Sequence, residues 1–152
     1  MMQGRHTFRK AERLCSKKHI EALFAGDNRS LTAYPLRAVY TETEPPHYTT
    51  SSLHHSITSS LLISVSKRHF KRAVHRNRAK RQIREAYRLN KEVLRSVVAD
   101  GTSLAIALIW LADEPMESHR VTKSVKTILH RLAERQVGKK TERQVDKKTE
   151  RP

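Results

Sequence analysis

The 152-residue chain carries 31 Lys and Arg against 15 Asp and Glu, a net charge of +16 and a pI near 10.6, well beyond the roughly 2 to 8 charges that keep a small domain soluble. With 37% hydrophobic residues it suits one domain with a modest core, and its excess charge points to a polyanionic partner, either nucleic acid or an anionic membrane surface. No apolar run approaches the roughly 20 residues of a bilayer span, the opening MMQGRHTFRKAERLC lacks a signal-peptide core, and a lone Cys15 excludes an intramolecular disulfide, so a cytoplasmic location is expected.

Residues 1–10 are polar and basic, with Phe8 as their only Phe, Tyr or Trp, and are expected to form a flexible arm ordered by docking. The domain itself is expected over 11–133. Between Glu12 and Phe24 the residues Ile20, Leu23 and Phe24 fall at helical spacing, and Gly26-Asp27 closes the segment. YPLRAVYTE then alternates Leu36, Ala38 and Tyr40 against Arg37, Val39 and Thr41, which is strand periodicity, with Pro35 at its start. The stretch 43–57 is rich in Pro, Ser, Thr and His without a period and is expected to be a loop. SLLISVS, 60–66, predicts a second strand with Leu61, Ile63 and Val65 on its core face and a polar face opposite.

A basic helix is expected next, continuing to about Leu94, followed by a turn at Asp100-Gly101. Leu104 to Leu111, LAIALIWL, is apolar on both faces, as a strand covered on both sides requires. A last helix starts near Pro115 or Ser118 and buries Val121, Val125, Ile128, Leu129 and Leu132. Residues 134–152 read ERQVGKKT, ERQVDKKT, ERP, an octad repeated with hardly an apolar residue, and are expected to be a disordered, charged tail. The predicted order is α, β, β, α, β, α. The tail holds seven basic and four acidic residues, so it does not account for the charge.

The charge is concentrated elsewhere. Between Lys67 and Arg88 there are ten Lys or Arg (Lys67, Arg68, Lys71, Arg72, Arg76, Arg78, Lys80, Arg81, Arg84, Arg88) and one acid, Glu85. At about 100° per residue, Ala79, Ile83, Ala86, Tyr87 and Asn90 share one face, with Asn77, Lys80, Arg81, Arg84 and Arg88 opposite. Like charges at helical spacing repel, and one carboxylate cannot neutralise them, so the face suits an anionic ligand. Guanidinium groups match phosphate oxygens in planar, bidentate pairs. A membrane-lying helix would need bulkier residues than the two alanines on the apolar face. Nucleic acid is therefore the favoured partner over an ordinary solvated face or a membrane.

SVSKRHFKRAVHRNRAKRQIREAYR, Ser64 to Arg88, resembles the signature of the bacterial ribonuclease P protein subunit: a strand end SVSK, a short basic linker, then RNR, KR and REAYR. Phe8 to Leu14, FRKAERL, resembles the family's entry segment, and the likeness extends over about Phe8 to Leu132. His69-Phe70 departs from the small or flexible residue that many members carry, and the octads match nothing in the pattern. The resemblance implies an α+β fold, a single-domain α/β sandwich with a mostly four-stranded sheet and a left-handed βαβ crossover carrying the basic helix. It implies a ribonucleoprotein that removes the 5′ leader of precursor tRNA, with one protein per catalytic RNA. That RNA would perform the hydrolysis with Mg²⁺ that it mainly holds itself.

Two surfaces follow from the same resemblance. Arg76, Asn77, Arg78, Lys80, Arg81 and Arg84 match the segment that contacts the catalytic RNA, with Lys71, Arg72 and Arg88 extending it. Phe8, Ile20, Phe24 and Tyr40, with Lys67 and Arg68 at the strand end, match a cleft for the single-stranded leader, where aromatic faces accept any base. Phe24 is equally a candidate core residue; Tyr87 and Trp110 are assigned to the core. No catalytic set stands in the chain itself: the histidines are scattered, His54-His55 has no spaced partner pair, and His75 reads as a surface residue or phosphate donor. A structural RNA-binding protein, such as a ribosomal protein, is the main rival. A helix-turn-helix or a self-sufficient nuclease fits less well.

Overall fold

The computed structural model describes residues 13–14, 17–25, 29–43, 59–95, 97 and 103–149. In chain order the elements are α1 (Lys17–Leu23), β1 (Arg29–Ala33), β2 (Leu36–Thr43), β3 (Ser59–Ser64), α2 (Ala73–Asn90), α3 (Glu92–Arg95), β4 (Ser103–Trp110) and α4 (Ser118–Thr149). The strands form one sheet in the order β1-β2-β4-β3; β1 and β4 run antiparallel to β2, and β3 runs parallel to β4. A parallel pair cannot be closed by a tight turn, so α2 and α3 lie in the crossover between β3 and β4. The α+β class and the four-stranded sheet with helices agree with expectation.

The alternation along β4 decides how the layers pack. Leu104, Ile106, Leu108 and Trp110 point into the main core with α2 and α4, where they meet Ile83, Tyr87, Val125, Ile128 and Leu129. Ala105 and Ala107 face the other way and join Leu14, Leu23 and Val39, with Ile20, Leu62 and Ile109 packed alongside. Large side chains thus fill the space under two helices, and alanines suit the face that receives the short α1. Trp110 is essentially fully buried and its indole N–H donates to the Ala112 carbonyl at 2.8 Å, so no polar atom is left unpaired by that burial.

Several boundaries differ from the sequence reading, each for a physical reason. β1 was not expected: only Leu31 of its five residues is buried, so an edge strand of this kind leaves almost no period-two signal. Tyr34-Pro35, read as a strand start, is the turn between β1 and β2, and its peptide is cis. The first helix begins at Lys17 rather than near Glu12. Arg13 instead forms a parallel bridge with Leu61, and the Leu14 N–H donates to the Leu61 carbonyl at 3.0 Å, which caps the open edge of β3. The basic helix stops at Asn90, whose side-chain amide donates to the Ala86 carbonyl at 2.7 Å, and α3 follows as a separate turn. The β3 face opposite Leu61 is not simply polar, because Leu62 packs on the second cluster.

Thr43, placed at the start of the loop, belongs to β2; the rest of that loop lies outside the described residues, as do the arm at 1–10, Cys15 and Gly26-Asp27. The tail is the largest difference. α4 continues with helical backbone to Thr149, and Gln136 is buried, so the packed body does not end at 133. Sixteen helical residues already packed on the sheet remove the nucleation step, and the octads are rich in Glu, Gln, Lys and Arg, which propagate a helix well without any apolar stripe.

Candidate nucleic-acid interface

α2 is positioned by its apolar face. Ala79, Ile83, Ala86 and Tyr87 are buried as the periodicity predicts, and the Tyr87 hydroxyl makes a buried hydrogen bond with the Ser59 hydroxyl on β3. This anchoring fixes the opposite face towards solvent. Lys67, Arg68, Lys71, Arg72, Asn77, Arg78 and Arg81 are exposed, while Arg76, Lys80, Arg84 and Arg88 are partly covered. The exposed set occupies the turn after β3 and the first half of α2.

The partly covered arginines have protein contacts. Arg76 donates from one guanidinium nitrogen to the carbonyls of Phe70 and Lys71, each at 2.9 Å, so it ties the linker to α2. Arg88 grips Glu85 in a two-point pair, its Nε donating to Oε2 at 3.1 Å. The hydrogen bond from Arg88, aided by its charge, holds the Glu85 carboxyl below the usual carboxylate range, and the same bond raises Arg88. The single acid of this segment is thus committed to one arginine at the far end of the helix. No acidic residue of α2 stands within one turn of Asn77 or Arg78, and the nearest, Glu85, lies one turn beyond Arg81.

The described members of the predicted cleft, Ile20, Phe24 and Tyr40, do not all lie on one face of the sheet. Ile20 packs on the second cluster, on the α1 face of the sheet, and Phe24, just past α1, is 50% exposed; an exposed ring is available for stacking, so the core alternative for Phe24 is removed. Tyr40 is a correction. It is buried in the main core on the opposite face, with Leu36 and Ala38, and Arg135 of α4 donates to its hydroxyl at 2.6 Å. Strand alternation sends neighbours to opposite faces, so the β2 residues that share the α1 face are Arg37, Val39 and Thr41. Exposed Arg37 shares that face with Val39, a parity legible in the sequence. Phe8 lies outside the described residues. Tyr87 and Trp110 are core residues, as expected.

Chemically, cations and amides of this kind can bind and orient an anionic partner. His75 is exposed beside the Phe70 ring, 6.1 Å between centroids, and His119 Nδ1 lies 3.1 Å from Glu117 Oε2, both at the surface. Among the described residues no group of three His, Cys, Asp or Glu side chains could hold a metal ion, and no helix is long and apolar enough to cross a membrane.

The sequence model of the ribonuclease P family matches residues 8–133. The chain belongs to the ribonuclease P protein family. Two strains of Porphyromonas gingivalis have a ribonuclease P protein component 39% identical to it over 125 residues, 82% of this chain and 85% of theirs. The fold is similar to that of the RNase P protein from Thermotoga maritima, with a TM-score of 0.56 and 22% identity over 79% of this chain and 96% of that one. A Staphylococcus aureus RNase P protein, a mutant with defective mRNA degradation activity, matches with a TM-score of 0.59 and 23% identity over 79% of this chain and 86% of its own. The family match ends at 133, so Arg135, Gln136 and the helical octads of α4 lie beyond the shared ribonuclease P domain.

Proposed function

We propose that this protein is the RNA-binding subunit of ribonuclease P, acting in removal of the 5′ leader from precursor tRNA in the cytoplasm, one protein per catalytic RNA. The observation that carries this reading is the exposed, predominantly cationic set of Lys67, Arg68, Lys71, Arg72, Asn77, Arg78 and Arg81 in a chain of this family. Its arginines would neutralise phosphates of the catalytic RNA, with Asn77 donating to or accepting from a phosphate or 2′-OH. Lys80, Arg84 and Arg88 extend the surface, and Arg76 holds the linker in place.

The leader would lie on the α1 face of the sheet, with Phe24 as a stacking ring, Ile20 as apolar floor and Arg37, Lys67 and Arg68 drawing in the backbone. Tyr40 has no part in that cleft. We assign the chemical step, with the Mg²⁺ it uses, to the RNA partner, as the resemblance to the family implies. The protein binds, orients and lowers the repulsion between two polyanions brought together.

Reconstitution tests this. Purified protein, a bacterial ribonuclease P RNA and a precursor tRNA with a 5′ leader are combined at low Mg²⁺, and cleavage is followed with and without protein. Cleavage at the mature 5′ end only when protein is present is the expected result. Binding to the RNA with no gain in cleavage would leave a structural RNA-binding protein in its place.

A further inference from the structure

The linker between β3 and α2 carries four exposed cations, Lys67, Arg68, Lys71 and Arg72. Long side chains on a loose connector would lose much conformational freedom on meeting RNA, yet this connector is tied at three points. The buried Phe70 ring lies 5.9 Å from the Trp110 ring at the end of β4. Arg76 binds the Phe70 and Lys71 carbonyls from the α2 side. His69 Nδ1 sits 2.7 Å from Asp113 Oδ1, on the segment between β4 and α4; a carboxylate only accepts, so the imidazole Nδ1–H donates.

The third tie has no obvious use to the core, because the Asp113 side chain is 82% exposed. Nor does it serve simple electrostatics: a carboxylate contacting the residue next to Arg68 reduces the attraction of that surface for phosphate. Its remaining effect is geometric. The geometry points to His69 and Asp113 as a latch, a pair of positioning residues that holds the linker cations in register with Asn77, Arg78 and Arg81 before RNA arrives. The inference rests on the RNA-binding function proposed above and adds to it a source of affinity that makes no contact with RNA.

Opposite signs make the test decisive. In the full-length protein, Asp113→Ala removes one negative charge, which by charge alone tightens RNA binding; loss of the latch weakens it by about three- to tenfold. Affinity for ribonuclease P RNA is measured over a salt series for the unaltered protein, Asp113→Ala, His69→Ala and, as a phosphate-contact reference, Lys67→Ala. Weaker binding by both latch variants at an unchanged salt slope is expected. Tighter or unchanged binding by Asp113→Ala overturns the latch, and so does a His69→Ala slope that becomes shallower as in Lys67→Ala, since His69 would then touch a phosphate.

Amide hydrogen exchange of the protein alone gives a second reading. The His69 and Phe70 N–H groups donate to the Ser66 carbonyl at 3.1 and 3.3 Å, and their exchange should quicken in Asp113→Ala while α2 and β4 stay protected. Unchanged exchange at these two amides overturns the latch even if the unaltered protein binds no RNA, in which case the proposed function fails separately.

Discussion

Arg135 and Tyr40 are 95 residues apart in the chain, yet the Arg135 guanidinium donates to the Tyr40 hydroxyl at 2.6 Å and its carbon lies 5.9 Å from the ring centroid. The pair removes Tyr40 from the candidate leader cleft and draws the chain beyond 133 into the packed body. Tyr40→Phe should therefore leave affinity for a leader-bearing precursor tRNA unchanged relative to a leaderless one, whereas Phe24→Ala should weaken the leader-dependent part by about 1 to 3 kcal/mol. Paired binding titrations check this, and a Tyr40→Phe loss as large as that of Phe24→Ala would restore Tyr40 to the cleft.

Arginines of the RNR segment should separate by role. We predict that Arg78→Ala and Arg81→Ala each weaken RNA binding and lower the salt slope by about 1, as loss of one phosphate contact does. Arg76→Ala should loosen the linker instead, with a smaller change in slope, because its donors are engaged with the Phe70 and Lys71 carbonyls. Equal slopes for all three variants and the unaltered protein would remove the phosphate-contact role.

Glu85 offsets part of the cationic charge of α2 and pairs with Arg88. Glu85→Gln should release Arg88 and tighten RNA binding about two- to threefold at low salt, an advantage that screening erases near 1 M salt. For folding, the carboxyl is depressed by Arg88. The stabilisation by the pair is therefore present above the ordinary carboxylate range and fades as pH falls through the lowered value. Urea unfolding of Glu85→Gln across acid pH should lack that component.

The buried contact between the Tyr87 and Ser59 hydroxyls pins α2 to β3. Tyr87→Phe leaves the serine hydroxyl short of a partner and should cost about 1 to 2 kcal/mol in urea denaturation. Trp110→Ala, which empties the site between Phe70 and the sheet, should cost about 3 to 5 kcal/mol.

Gly138 stands inside α4 with nothing within 4 Å of where a Cβ would be placed. Gly138→Ala should therefore raise helix content and stability by up to about 1 kcal/mol. Circular dichroism that shows no gain would mean that this stretch of α4 is not helical in solution.

Much of this architecture was legible in the sequence, and the misses share a cause. The buried face of α2 and the seam of α4 through Leu132 are legible as long, strongly periodic runs, and the two-sided burial of β4 as an unbroken apolar run. β1 and the short start of α1 escaped because their residues are fixed by edge pairing and by contacts distant in sequence, which leave no local period. The octads were read as disordered because they lack apolar residues, a rule that holds for an isolated segment but not for one continuing a packed helix.

The sequence by itself determined the family, the cationic segment from Lys67 to Arg88 and the face of α2 that would be buried, since composition and periodicity are properties of the chain alone. Only the tertiary structure decided which cations remain available. It spent Arg76 on the linker and Arg88 on Glu85, and it sent Tyr40 to the α4 side of the sheet. It also brought Asp113 to His69 across 44 residues. Each outcome is set by which elements meet across the sheet, and no local spacing encodes that meeting.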